Sequence, residues 1–129
     1  MCGIIAYSGS KDAAKVVLEG LKKLEYRGYD SWGIAALTSN TSQPFSVIKK
    51  TGKIGEVSLE SVKTAVKGES HIAVGHTRWA THGGVTEQNT HPHFDCRQRI
   101  AVVHNGIVEN HQQLKEELAS KGHKFASQT

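Results

Sequence analysis

Five apolar runs of four to six residues, at 3–7, 32–37, 45–48, 72–75 and 100–103, constrain this chain more than any other feature. Each is too short for a buried helix and is bounded by Gly, Ser, Asn, Thr or polar residues, which is the pattern of strands. Three helices are predicted between and after them. Over 11–24, Ala14, Val17, Leu18, Leu21 and Leu24 recur at three- and four-residue spacing and line one face, with Gly28 placed to stop the helix. Leu59, Val62 and Val66 mark a weaker helix ending at Gly68, and Leu114 and Leu118 mark one over 110–121 closed by Gly122. The polar link 38–44 favours an antiparallel hairpin between the second and third strands. With no repeat, low-complexity tract or interdomain linker, the reading is one α+β domain around an antiparallel sheet.

Composition excludes more than it assigns. The chain has 129 residues, 37% hydrophobic and 22% charged, within the range of a folded domain. No run approaches the roughly 20 apolar residues of a membrane span. No basic stretch leads into an apolar one at the start, so the expected location is the cytoplasm, with no membrane partner. Two cysteines, Cys2 and Cys96, are too few for a disulfide framework. The net charge of +4 is spread along the chain, and the doublets Lys22-Lys23 and Lys49-Lys50 lack interleaved aromatics, so no nucleic-acid partner is expected.

Polar chemistry is concentrated in the second half, where seven of eight histidines lie between His71 and His111 and a long Gly-, Thr- and His-rich loop is predicted over 77–99. Cys2 follows the initiator Met. Once Met1 is removed, its thiol shares a residue with a free α-amine of pKa roughly 7.7–8.0, able to exchange protons near neutrality. Gly3 removes bulk beside it. The same residue also reads as a small structural thiol at a strand start. Arg78, in Gly75-His76-Thr77-Arg78-Trp79-Ala80-Thr81-His82-Gly83-Gly84, suits bidentate capture of a carboxylate or phosphate, or a plain salt bridge. Asn105-Gly106 supplies two oxyanion donors or an ordinary turn. His91-Pro92-His93-Phe94-Asp95 has a metal-ligand spacing, with His76, His82 or His104 as further donors of a metallohydrolase. Attack on a carboxamide needs a nucleophile, a base, oxyanion donors and an anchor for charge; Cys2, its amine, Asn105 with Gly106, and Arg78 would fill those roles together.

The segments Met1-Cys2-Gly3-Ile4, Gly75 to Gly83 and His104-Asn105-Gly106-Ile107 resemble the N-terminal-nucleophile (class II) glutamine amidotransferases. Leu24-Glu25-Tyr26-Arg27-Gly28-Tyr29-Asp30-Ser31 and Ile107-Val108-Glu109-Asn110-His111 are similar to the branch that aminates fructose 6-phosphate. The resemblance runs from Cys2 to the last residue. It implies an αββα sandwich of antiparallel sheets between helix layers, incomplete here, with 1–129 as the N-terminal part of a glutaminase domain and sugar isomerase domains absent. It further implies L-glutamine as substrate, fructose 6-phosphate reached through the absent domains, a homo-oligomeric parent, and neither metal nor organic cofactor. By position Cys2 would form a glutamyl thioester, Asn105 and Gly106 would hold the oxyanion, and Arg78 would take the glutamine α-carboxylate beside Thr81 and His82. Trp79 would gate ammonia, and Arg27 would order the loops around the Cys2 end. Trp32 and Gly84-Val85 depart from the family pattern at places that read as peripheral to the chemistry. The resemblance also expects an Asp for the substrate ammonium just beyond Thr129, and hence weak or no activity from residues 1–129 alone. A non-catalytic binding domain of the same fold is the other alternative.

Overall fold

The computed structural model describes residues 1–39 and 43–129; the middle of the expected hairpin link, 40–42, lies outside them. The main sheet holds four strands, β1 (Gly3–Ser8), β2 (Ser31–Thr38), β3 (Phe45–Thr51) and β4 (Ser70–Arg78), in the order β1-β4-β2-β3 with every neighbour antiparallel. Helix α1 (Ala13–Lys23) joins β1 to β2 by way of a 3-10 turn, Glu25–Arg27. Asp12 caps α1, its carboxylate accepting from the Lys15 N–H at 3.3 Å. Helix α2 (Leu59–Ala65), capped in the same way by Ser58, joins β3 to β4. A two-stranded ribbon, β5 (His93–Phe94) with β6 (Ala101–Val102), and helix α3 (His111–Ser120) follow.

Strand alternation sorts the sheet into two faces. The register aligns Ile5 with Gly75, Gly75 with Ile34 and Ile34 with Ile48; the next row on that face carries Ala73 and Ala36. Against it α1 buries Ala14, Val17, Leu18 and Leu21, and Ile54, Val62 and Val66 complete the core. Fully burying side chains of this size gives about 1.5–3 kcal/mol each, so this face supplies most of the driving force. Gly75 permits the close approach of α1: a Cβ there would lie 2.6 Å from Val17 Cγ1. The opposite face carries Ile4, His76, Gly33 and Lys49 in one row. Beyond that row, toward β6, it opens into a cavity of about 380 Å³ lined by Ala6, Ala35, Phe45, Ile72, Val74 and Ala101.

Three elements differ from the sequence reading. Strand β4 runs to Arg78 rather than ending at Gly75, because it is hydrogen-bonded on both sides and its polar end pairs with Gly3 and Ser31. The expected loop over 77–99 therefore begins inside the sheet and contains β5. The last apolar run pairs only over two residues, Ala101–Val102, with the ribbon and not with the main sheet. Helix α3 forms where expected, yet none of its residues is buried and Leu114 and Leu118 face solvent. Gly28 is extended and follows the 3-10 turn; a Cβ on it would lie 2.6 Å from the Arg78 carbonyl carbon, so close packing rather than helix termination requires glycine there.

Candidate active site

The paired ends of β1 and β4 build the site. One residue before the Gly3–Thr77 pair, Cys2 comes alongside the Arg78-Trp79 segment. Its half-buried Sγ accepts from the Trp79 N–H at 3.3 Å and lies 3.7 Å from the Trp79 carbonyl oxygen. Gly3 does not clear space for a substrate: a side chain there would meet Leu24 Cβ and Thr77 Oγ1, both at 2.8 Å, on the core side of the sheet. Asn105 arrives from 103 residues away and donates its Nδ2 to the Cys2 carbonyl at 3.1 Å. The Asn105 Oδ1 lies 2.7 Å from Nε2 of His76, which is buried on β4. Next to Asn105, Gly106 has φ 157°, and a Cβ there would meet His104 Nε2 at 2.8 Å.

Arg78 is only 4% exposed. Its guanidinium donates to the carbonyls of Gly84 at 2.9 Å, His82 at 2.5 Å and Gly83 at 3.4 Å. Among the described residues no carboxylate pairs with it, so a buried cation is held by neutral acceptors alone. Burying a cation without an opposite charge is costly, and here three carbonyl acceptors offset that cost. The salt-bridge reading of Arg78 has no partner here. The loop that grips Arg78 is tied down by the buried Asn89, whose Nδ2 donates to the Gly84 carbonyl and to Gln128 Oε1, each at 3.0 Å, while its Oδ1 accepts from the Gln128 N–H at 2.8 Å. Asp30 Oδ2 accepts from the Ala80 N–H at 2.8 Å and fixes the other side of the turn. Beside Arg78 in the register, the Ser31 hydroxyl is buried and, among the described residues, without a hydrogen-bond partner.

Of the other expected site residues, Trp79 is half exposed and packs edge-on against Tyr29 at 5.3 Å. Thr81 and His82 are exposed; His82 serves Arg78 through its backbone while its ring meets that of His111 at 6.0 Å. Arg27 reaches the Met1 end, with Nη2 3.8 Å from Met1 Sδ, and lies over the Tyr26 ring. Trp32 is buried in the core, paired in register with Thr77.

The histidine cluster is differently built from a metal centre. His91 packs between His76 and His93, with tilted rings whose centroids lie 4.5 and 4.3 Å apart. Burial, reinforced by the nearby cations Arg78 and Lys49, pushes His91 down to about 3 and His93 to about 4. Burial likewise lowers His76, opposed by its bond to Asn105. All three are neutral at pH 7. Asp95 turns away, accepting from the backbone N–H groups of Arg97, Arg99 and Ile100, which hold its carboxyl below the usual range. Among the described residues no group of three or more His, Cys, Asp or Glu could hold a metal ion, and no helix is long and apolar enough to cross a membrane. Cys96 is exposed beside His123, at 3.5 Å.

Sequence reading missed Asn89 and Asp30, and it considered His76 only as a metal donor. His76 had a usable signal, two residues before Arg78 on the same strand face; Asn89 sits in an irregular loop and had none.

An antiparallel sheet with helices on one face, and a thiol at the chain start held against an Asn-Gly turn, define an α+β fold of the N-terminal-nucleophile type. Two solved structures share it. One, described as the allosteric regulatory enzyme of purine biosynthesis, matches with TM-score 0.76 at 31% identity over 97% of this chain and 26% of its own. The other is glutamine phosphoribosylpyrophosphate amidotransferase from B. subtilis, complexed with ADP and GMP, with TM-score 0.76 at 29% identity over 100% of this chain and 27% of its own. A family model described as a glutamine amidotransferase domain matches residues 61–129, and the chain belongs to that family. Among curated relatives, glutamine–fructose-6-phosphate aminotransferase (isomerizing) from Methanococcus maripaludis is 51% identical over the whole chain, that from Thermus thermophilus 48%, and that from Pyrococcus horikoshii 52%. The chain spans 20–21% of the length of these relatives.

Proposed function

We propose that residues 1–129 form the N-terminal part of a glutaminase domain, which hydrolyses L-glutamine and supplies ammonia for conversion of fructose 6-phosphate to glucosamine 6-phosphate. The observation that carries this is the meeting of three separate segments: Cys2 against Trp79, the Asn105 amide on the Cys2 carbonyl, and the buried, acid-free Arg78 at the same strand end. The sugar half of the reaction would belong to isomerase domains outside these residues, and the expectation of fructose 6-phosphate rests on the curated relatives.

With Met1 removed, the thiol of Cys2 attacks the side-chain carboxamide carbon of glutamine, and its proton passes to the α-amine of the same residue. The new C–S bond leaves the former carbonyl oxygen negatively charged, facing the free N–H of Asn105 Nδ2 and the N–H of Gly106. Collapse expels ammonia, which takes the proton from the α-amine, and leaves a glutamyl thioester. Water then cleaves the thioester to glutamate and regenerates the thiol. Arg78 holds the substrate α-carboxylate, with Thr81 and His82 at the mouth and Trp79, braced by Tyr29, over the exit for ammonia. Arg27 steadies the entrance from the Met1 side.

The test is made on the natural full-length protein. A glutamine-like electrophile should add once, at Cys2 and not Cys96, with L-glutamine protecting. Cys2→Ala should lower glutamine-dependent formation of glucosamine 6-phosphate by a factor on the order of 10³ or more, while a chelator should change nothing. Activity that survives Cys2→Ala, or adducts shared between Cys2 and Cys96, would overturn the proposal.

A further inference from the structure

We propose that His76 is a positioning residue that orients the Asn105 amide so that its nitrogen faces Cys2 and the oxyanion. The inference rests on the glutaminase reading above and adds to it a residue that touches no reacting atom.

The argument is one of donors and acceptors. A carbonyl oxygen only accepts, so the Asn105 atom 3.1 Å from the Cys2 carbonyl is the amide nitrogen. The amide oxygen must then be the atom 2.7 Å from His76 Nε2, and because that oxygen also only accepts, Nε2 carries the proton. The other ring nitrogen, Nδ1, is buried and among the described residues has no hydrogen-bond partner. A second proton would create a buried, unmatched N–H at Nδ1, and burial and the Arg78 charge oppose it as well. One tautomer is thus held, and through it one amide orientation.

The ring cannot readily turn. His76 lies on the central strand, registered with Ile4 on one side and Gly33 on the other. The tilted His91 ring packs against it at 4.5 Å, and the chain at His91 crosses over Gly33 so closely that a Cβ on Gly33 would lie 2.2 Å from the His91 carbonyl oxygen. Asn105 itself is exposed on an irregular turn, where its side chain bonds to His76 and to Cys2. Of its two Nδ2 hydrogens, one serves the Cys2 carbonyl and the other is free for the oxyanion. A reversed amide would turn an oxygen toward both.

The experiment uses the full-length protein. His76→Phe, which keeps a ring but loses the donor, should lower kcat for glutamine hydrolysis about 10- to 100-fold, up to the loss of one oxyanion donor, with KM changed less than about 3-fold because Arg78 is untouched. His76→Gln, which places an amide N–H near the position of Nε2, should recover much of kcat. In an Asn105→Ala background His76→Phe should cost nothing further. Nitrogen-15 NMR should show His76 protonated at Nε2 and bare at Nδ1, with a resonance that moves on Asn105→Ala. Additive losses, a parallel rise in KM, or protonation at Nδ1 would each overturn the proposal. If the wild-type protein hydrolyses no glutamine, the glutaminase reading falls, and the tautomer with its response to Asn105→Ala still decides the role of His76. If His76→Phe does not fold, His76→Gln and the wild-type spectra decide it.

Discussion

The two faces of the same four strands are held together by different physics. On the helix side, Ile34, Ala36, Ala73 and Gly75 meet Val17, Leu18 and Leu21, and what matters is volume and apolarity. On the other side, Cys2, His76, Arg78 and Asn105 are placed by hydrogen bonds with a required direction. The first face tolerates exchanges of similar size. The second tolerates few, because each group is set by directed bonds: Asn105 by His76 and the Cys2 carbonyl, and Arg78 by three carbonyls of a loop that Asn89 anchors. Stability thus resides on one face and proposed chemistry on the other, with β4 common to both.

Substitutions that probe volume on each side sharpen that comparison. Leu21→Ala removes a fully buried side chain from the helix face and should cost about 2–5 kcal/mol in urea denaturation. Glutamine KM should stay unchanged wherever the protein remains folded. Adding a methyl group separates the faces further. At Gly75 a Cβ meets the far ends of Val17 and Leu21, at 2.6 and 2.7 Å, whereas at Gly33 it meets the His91 backbone oxygen at 2.2 Å. Side-chain ends shift more easily than backbone, so Gly75→Ala should cost about 1 kcal/mol and Gly33→Ala about 3 kcal/mol. Gly33→Ala should also lower kcat by displacing His91 from His76. Equal costs would break the distinction.

The same division explains what the sequence made legible. The apolar runs revealed β1, β2, β3 and the helix face of α1, because burial there leaves a period in hydropathy. They understated β4, whose His76-Thr77-Arg78 end is buried although polar. Cys2, Arg78 and Asn105 were visible as residue types suited to one reaction and as a family pattern, but their meeting depends on strand register and on a contact spanning 103 residues. The role of Asn89 is invisible in sequence because an irregular loop has no period to read. His91-Pro92-His93 looked like metal ligands because spacing records ligand types and not the direction in which Asp95 points.

Acid should act on the second face first. His91 and His93 are pushed to about 3 and about 4, below their unfolded value near 6.5. Their burial as neutral rings is therefore fully favourable above pH 6.5, and stability is lost as pH falls from there toward the folded values. The slope should reach at most about 1.4 kcal/mol per pH unit from His91 and less from His93, which solvent reaches more. Urea midpoints measured from pH 7.5 to 5 should fall, and His91→Asn should flatten the curve. A flat wild-type profile would mean that the rings are hydrated in solution.

The smallest effect is expected at α3, and it tests whether helical spacing alone implies a core. Leu114 and Leu118 have the same four-residue spacing as Val17 and Leu21, yet they are 38% and 36% exposed. Periodicity says that a helix has an apolar side; it does not say that anything packs there. Since Leu114 is poorly covered and alanine favours helix at least as well as leucine, Leu114→Ala should change stability by no more than about 0.5 kcal/mol. Leu21→Ala, the same chemical change on a covered helix, is several times more costly. A loss above about 2 kcal/mol at Leu114 would show that α3 buries this side in solution.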